Sequence, residues 1–276
     1  MVRIGGGIDG RTWNTPEEWL EIIKEMQYTA VVCPIDHTAD ADTRAAFKRI
    51  MAENDLVLGE VGAWVNPLHP DDAVRKKNIA YCQKQLALAE DMEANCCVNI
   101  VGCPGEIWDG AYAENYNADT YALIVDTIRE IIDGVEPGRT FYTAEPMPWM
   151  VPDSPESYLK LLKDVDRERF AVHLDYTNMI SDPRRYLHSS DFIRECFRLL
   201  GPHIKSIHAK DVIMESGLPC VIREVMPGRG SIDFTLVLRL AGQLGDRMTV
   251  YSEHLQSWQE YRESTGFLRK KLAETL

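Results

Sequence analysis

Residues 140–175, TFYTAEPMPWMVPDSPESYLKLLKDVDRERFAVHLD, decide the fold. The stretch begins with a short β-rich run that stops on Glu145. An amphipathic segment follows, opened by Ser154 and by Pro155 at the first helical position, where a missing N–H costs nothing. A second β-rich run then stops on Asp175. It is one strand–helix–strand unit with an acid at the end of each strand.

Outward from this unit the same alternation continues in both directions. Strand-like runs are expected at 2–8, 29–35, 56–64 and 95–102 before it, and at 204–209 and 248–253 after it. Amphipathic stretches separate them. TPEEWLEIIKEMQ has Thr15 as N-cap before Pro16, and NADTYALIVDTIREIIDG closes on Gly134. Eight strand-then-helix steps in 276 residues predict a single (β/α)8 TIM barrel spanning 1–276. The competing doubly wound open sheet would carry a Gly-rich phosphate turn after its first strand, and GGGIDG at 5–10 does not match GxGxxG. No Pro/Gly/Ser-rich linker divides the chain.

Composition narrows the function classes. A formal charge of −13 opposes a nucleic-acid partner, since phosphate binding needs basic faces that displace counterions. No apolar run approaches the roughly 18 residues of a membrane span. MVRIGGGIDG starts like a strand rather than a signal peptide, so a cytoplasmic protein is expected. The seven cysteines form no CxxC pair and read as core thiols. Cys96, Cys97 and Cys103 fit no zinc spacing.

Four strand-like runs end on metal-capable side chains: FYTAE on Glu145, FAVHLD on Asp175, IKSIH on His208 and MTVYSE on Glu253. Their gaps of 30, 33 and 45 residues suit one βα step each, the last with a long loop, placing them on strands five to eight. Barrel enzymes gather their chemistry at the C-terminal strand ends, so the four are expected to converge. A single acid or histidine there is ordinarily a rim or core residue. Four such groups without a cation would repel and desolvate one another. Three carboxylates and an imidazole favour Mn²⁺ or Mg²⁺, with Co²⁺ or Zn²⁺ as further candidates.

The segments AEPMP, HLDYTN, IKSIHAKD, MPGRGSIDF and YSEHL resemble the sugar isomerase/epimerase group of xylose-isomerase-like barrels, which includes ketose 3-epimerases, hydroxypyruvate isomerase and inosose dehydratase. The resemblance implies metal ligands at Glu145, Asp175, His208 and Glu253, with the two glutamates also moving protons. It implies a divalent-metal-dependent isomerase or epimerase of a small carbohydrate. A proton next to a carbonyl is abstracted and returned through a metal-stabilised enediolate. A lyase or dehydratase acting on keto-sugars or inososes, C-glycoside cleavage included, starts with the same proton abstraction and is the alternative. The sequence departs from the ketose 3-epimerases at Asn178, where they carry histidine, and at Val151, where they often carry an acid. Both departures argue against a free ketohexose substrate.

Substrate contacts are expected from His173, Lys210, Arg229, Trp108 and Trp149. His173 shares a strand face with Asp175. Lys210 follows His208 by two and points the same way. Arg229 lies in the loop after strand seven. Trp13, Trp64, Trp108 and Trp149 all follow strands, where flat rings suit sugars or seal the barrel top. His254 faces away from Glu253, as packing or as a support behind that ligand. The GRG of MPGRGS is the one candidate for a phosphate turn. An endonuclease IV-like reading would need more histidines and basic loops than this chain has. A non-catalytic carbohydrate-binding barrel subunit would have broken ligands, and these four are intact. Relatives often pair, which leaves a homo-oligomer open.

Overall fold

The computed structural model describes residues 1–275. Eight parallel strands run β1 (Arg3–Gly6), β2 (Ala30–Val32), β3 (Val57–Gly62), β4 (Cys96–Asn99), β5 (Phe141–Ala144), β6 (Phe170–Leu174), β7 (Ile204–Ala209) and, after a hairpin, β10 (Thr249–Ser252). Their spatial order is β1-β10-β7-β6-β5-β4-β3-β2. The circle is nearly closed, since β1 and β2 are not laddered; Thr29, just before β2, donates its N–H to the Ile4 carbonyl at 2.9 Å and accepts from Ile4 N–H through Oγ1 at 2.9 Å. This is the expected TIM barrel.

The helices begin where local chemistry caps them. Thr15 Oγ1 accepts from Glu18 N–H at the start of α1 (Pro16–Met26). The next two are α2 (Ala41–Glu53), capped by Asp40, and α3 (Asp72–Asp91), capped by Asp71. A fourth helix, α4 (Ala118–Asp133), ends at Gly134. Ser154 and Ser157 form a reciprocal capping box at the start of α5 (Pro155–Val165). A short α6 (Pro183–Leu187) precedes α7 (Ser189–Leu200), and α8 (Phe234–Gly242) and α9 (Trp258–Ala273) complete the ring. The helices' inner faces pack Trp19, Ile23, Leu86, Ile128, Leu161, Ile193 and Leu268 against the barrel. Among the described residues no helix is long and apolar enough to cross a membrane.

The connection after β7 differs from the expected long loop. It folds into an antiparallel hairpin, β8 (Asp211–Glu215) and β9 (Val221–Val225), registered Asp211 to Val225 and Glu215 to Val221. The GRG turn that follows is not an open phosphate cradle. Asp211 Oδ2 accepts from Gly228 N–H at 3.0 Å and Gly230 N–H at 2.8 Å, and Oδ1 accepts from Val212 N–H and Ile232 N–H. A carboxylate of the chain itself takes the place an anion would occupy. Gly230 is required there, because a Cβ would sit 2.3 Å from Asp211 Oδ1.

All seven cysteines are free thiols. Cys82, Cys96, Cys97, Cys103 and Cys196 are buried as core thiols, but Cys220 is exposed on the hairpin.

Candidate metal centre

Glu145 and Asp175 are the first residues beyond β5 and β6, His208 is the penultimate residue of β7, and Glu253 is the first beyond β10. In parallel strands that end at one rim, these positions turn inward together. One donor atom from each lies within 4.8 Å of the others. His208 Nδ1 stands 2.9 Å from Glu253 Oε2, 3.4 Å from Glu145 Oε1 and 3.9 Å from Asp175 Oδ2. Glu145, Asp175 and His208 are buried, while Glu253 keeps partial access to solvent.

Lys210 is fully buried among these acids, with Nζ 2.7 Å from both Asp175 Oδ2 and Glu253 Oε2 and 3.5 Å from Glu145 Oε1. The close contacts are nonetheless poorly directed, and neither Asp175 Oδ2 nor Glu253 Oε2 has a properly aligned hydrogen-bond donor among the described residues. Asn178 Nδ2–H donates to Glu145 Oε1 at 3.2 Å, so the residue that replaces the epimerase histidine touches the cluster.

Electrostatics follow from burial and crowding. Burial raises the Asp175 pKa and the neighbouring carboxylates add to it, overcoming Lys210, so the group is pushed up to about 6. Burial would also raise Glu145, but His208 wins and holds it at about 2. Burial opposes the charges of His208 and Lys210, yet the surrounding acids keep both well above their ordinary values. Three carboxylates confront two cations, one of them a lysine with ill-directed contacts. Hard oxygen donors plus one imidazole, with two oxygens lacking aligned donors, fit a divalent cation.

Sequence reasoning missed Glu60. It sits inside β3, almost wholly buried, with Oε2 3.3 Å from His208 Nε2 and Oε1 3.2 Å from His173 Nε2. Burial raises its pKa, but His208 and His173 outweigh that and hold it far below the usual carboxylate range. A lone acid inside the apolar run LVLGEVGAW was the available signal.

The expected substrate contacts are distributed unevenly. Lys210 is in the cluster. His173 lies beneath it, fully buried against His208 and Glu60, and does not line the cavity that opens beside the cluster. Arg229 is mostly exposed and pairs with Glu263 at 3.0 Å, because its loop is fastened around Asp211 and turns the side chain outward. Trp149 donates its indole N–H to the Asp109 carbonyl at 2.7 Å and lines a separate recess with Asn178 and Glu224. Trp108 packs edge-on against Trp64, ring centroids 6.4 Å apart. Trp64 and Trp13, together with Tyr261, wall a cavity of about 300 Å³ whose polar side is Glu60, His208 and Glu253. His254 takes the supporting place rather than the packing one. Its Nδ1 meets Glu224 of β9 at 3.0 Å, and its Nε2 lies 3.6 Å from Glu253 Oε2.

Solved structures share this architecture at low identity. An L-ribulose 3-epimerase matches with a TM-score of 0.72 and 15% identity, covering 100% of this chain and 96% of that one. The 3-keto-D-glucoside 4-epimerase of E. coli matches with a TM-score of 0.68 and 14% identity, covering 98% and 100%. A xylose isomerase-like TIM barrel protein from Mycobacterium smegmatis, in complex with magnesium, matches with a TM-score of 0.68 and 15% identity, covering 95% and 90%. No curated protein matches the sequence significantly. The family model described as xylose isomerase-like TIM barrel matches residues 18–271, and the chain therefore belongs to the xylose isomerase-like TIM barrel family.

Proposed function

We propose that this protein is a divalent-metal-dependent isomerase or epimerase of a small carbohydrate, with Glu145 and Glu253 as its proton-transferring groups. The observation that carries the reading is the convergence of Glu145, Asp175, His208 and Glu253 at the strand ends, beside an aromatic-walled cavity, with two carboxylate oxygens lacking aligned donors. Sugar epimerases and a magnesium-holding barrel among the structural neighbours support it.

Bound by these four side chains, Mn²⁺ or Mg²⁺ would polarise a substrate carbonyl and offset the charge that develops as the neighbouring C–H proton leaves. The chain's own groups do the rest. Glu145 and Glu253 project from strands separated by β6 and β7 in the barrel order, so they approach a substrate from different sides. Glu145 is placed to accept a proton, and Asn178 fixes its orientation. Glu253, the more solvent-accessible of the two, is suited to return one. Lys210 keeps its charge in the buried site and would offset negative charge that builds up among the ligands. Trp64 and Trp13 offer flat faces to a sugar ring and exclude water.

The test is product analysis by NMR after incubation with ketoses, inososes and 3-keto sugars, with Mn²⁺ and with chelator. Metal-dependent formation of an isomer or epimer supports the reading. An unsaturated or cleaved product would assign the site to elimination instead. Absence of any turnover across the panel, in protein loaded with metal, contradicts the reading.

A further inference from the structure

The proposed ligand set needs His208 in one particular tautomer, because a neutral imidazole offers a lone pair at only one nitrogen. Nδ1 is the nitrogen that faces Glu145, Asp175 and Glu253. Nε2 faces the barrel interior and Glu60 Oε2, 3.3 Å away.

We propose that Glu60 is the positioning residue of the metal centre, accepting Nε2–H from His208 so that Nδ1 presents its lone pair to the ion. This rests on the reading of His208 as a metal ligand. Glu60 is itself held. Its Oε1 accepts Ser206 Oγ–H and lies 3.2 Å from His173 Nε2, and Ser206 Oγ is 3.1 Å from Thr249 Oγ1. The His173 ring stands edge-on to His208, centroids 4.0 Å apart at 77°, and packs directly against it. Strands β3, β6, β7 and β10 thus each contribute a side chain beneath the ligands. A carboxylate behind a metal-bound histidine fixes its ring and raises its basicity, and loss of such a partner typically weakens metal binding 10–100-fold.

The experiment compares Mn²⁺ affinity of chelator-stripped wild type and Glu60→Gln by calorimetry, alongside the metal-free Tm of each. The expected result is affinity weakened about 10–100-fold in the variant, beyond what any Tm change explains. A Glu60→Gln protein that is less stable but binds Mn²⁺ within about twofold of wild type assigns Glu60 to packing alone and overturns the proposal, while leaving the metal-centre reading intact. Wild type that binds no divalent cation overturns both. Should the variant fail to fold, ¹⁵N-histidine NMR of Zn²⁺-loaded wild type decides, with the His208 signal assigned by its loss in His208→Asn. Protonated Nε2 with unprotonated Nδ1 is expected, and a proton on Nδ1 contradicts the assignment.

Discussion

Lys210 Nζ lies 2.7 Å from Asp175 Oδ2, with both side chains shut off from solvent. A buried ammonium beside a buried carboxylate is tolerable only while each compensates the other. Here the ammonium also faces Glu145 and Glu253, so one lysine counters much of the negative charge at the strand ends.

Removing that counter-ion isolates the acids. Lys210→Met is expected to destabilise the metal-free protein by about 3–5 kcal/mol, the usual cost of breaking a buried pair on one side. Saturating Mn²⁺ should recover much of the loss, since a divalent ion supplies the missing charge. Urea denaturation with and without Mn²⁺ checks this, and an equal loss under both conditions would mean that no ion binds among these carboxylates.

The site's protonation gives metal binding a pH dependence of definite sign. Asp175 titrates near 6, above its ordinary 3.8, so the folded metal-free protein binds more protons than the unfolded chain in that window. Its contribution to stability therefore falls as pH rises from about 4 to about 6. His208, raised above 6.5, contributes stability that is complete below that value and is lost as pH climbs through its folded pKa. Glu145 has the opposite sense, and its contribution is lost only as pH falls from 4.5 toward 2. A cation must displace the protons on Asp175 and on His208 Nδ1, so the Mn²⁺-induced rise in Tm should grow from about pH 5 to about pH 8. Thermal scans at matched ionic strength measure it. A flat or falling increment would contradict this set of ligands.

Asp211 anchors the segment that carries the hairpin back to α8 through three of its backbone N–H groups, Gly228, Gly230 and Ile232, and also accepts from Val212 N–H beside it, all within 3.0 Å. Asp211→Ala would strand those donors, Val212 and Ile232 in a buried setting and Gly228 and Gly230 nearer the surface. A loss of about 2–4 kcal/mol is expected, with new tryptic cleavage at Arg223 or Arg229 as the loop opens. Chemical denaturation and limited proteolysis test it together. A variant as resistant as wild type would show that the hairpin is held by packing alone.

Much of this architecture was legible in the sequence because barrel strands and helices announce themselves locally. Each βα step shows its own switch of period, and Thr15–Pro16 and Ser154–Pro155 mark helix starts without tertiary help. The convergence of Glu145, Asp175, His208 and Glu253 followed from their place at strand ends, which parallel pairing fixes at one rim. Glu60 was hidden for the opposite reason. Inside an apolar strand, nothing local says that an acid will find two histidines from β6 and β7 across the barrel. The hairpin at 211–225 read as loop because its strands pair only with each other, outside the barrel repeat. Arg229 and Trp149 stand on loops, whose side chains take directions set by anchors such as Asp211 and Asp109 rather than by period.

Proton transfer by Glu145 and Glu253 at a metal-dependent site leaves an isotopic trace. Its most direct measurement is deuterium uptake from D₂O into a keto-sugar panel, followed by NMR with Mn²⁺ and with chelator. Exchange is expected at a carbon beside the carbonyl, abolished by chelator and slowed about 10²–10⁴-fold in Glu145→Gln or Glu253→Gln. Exchange that persists at wild-type rate in both variants, or that ignores the chelator, would contradict it.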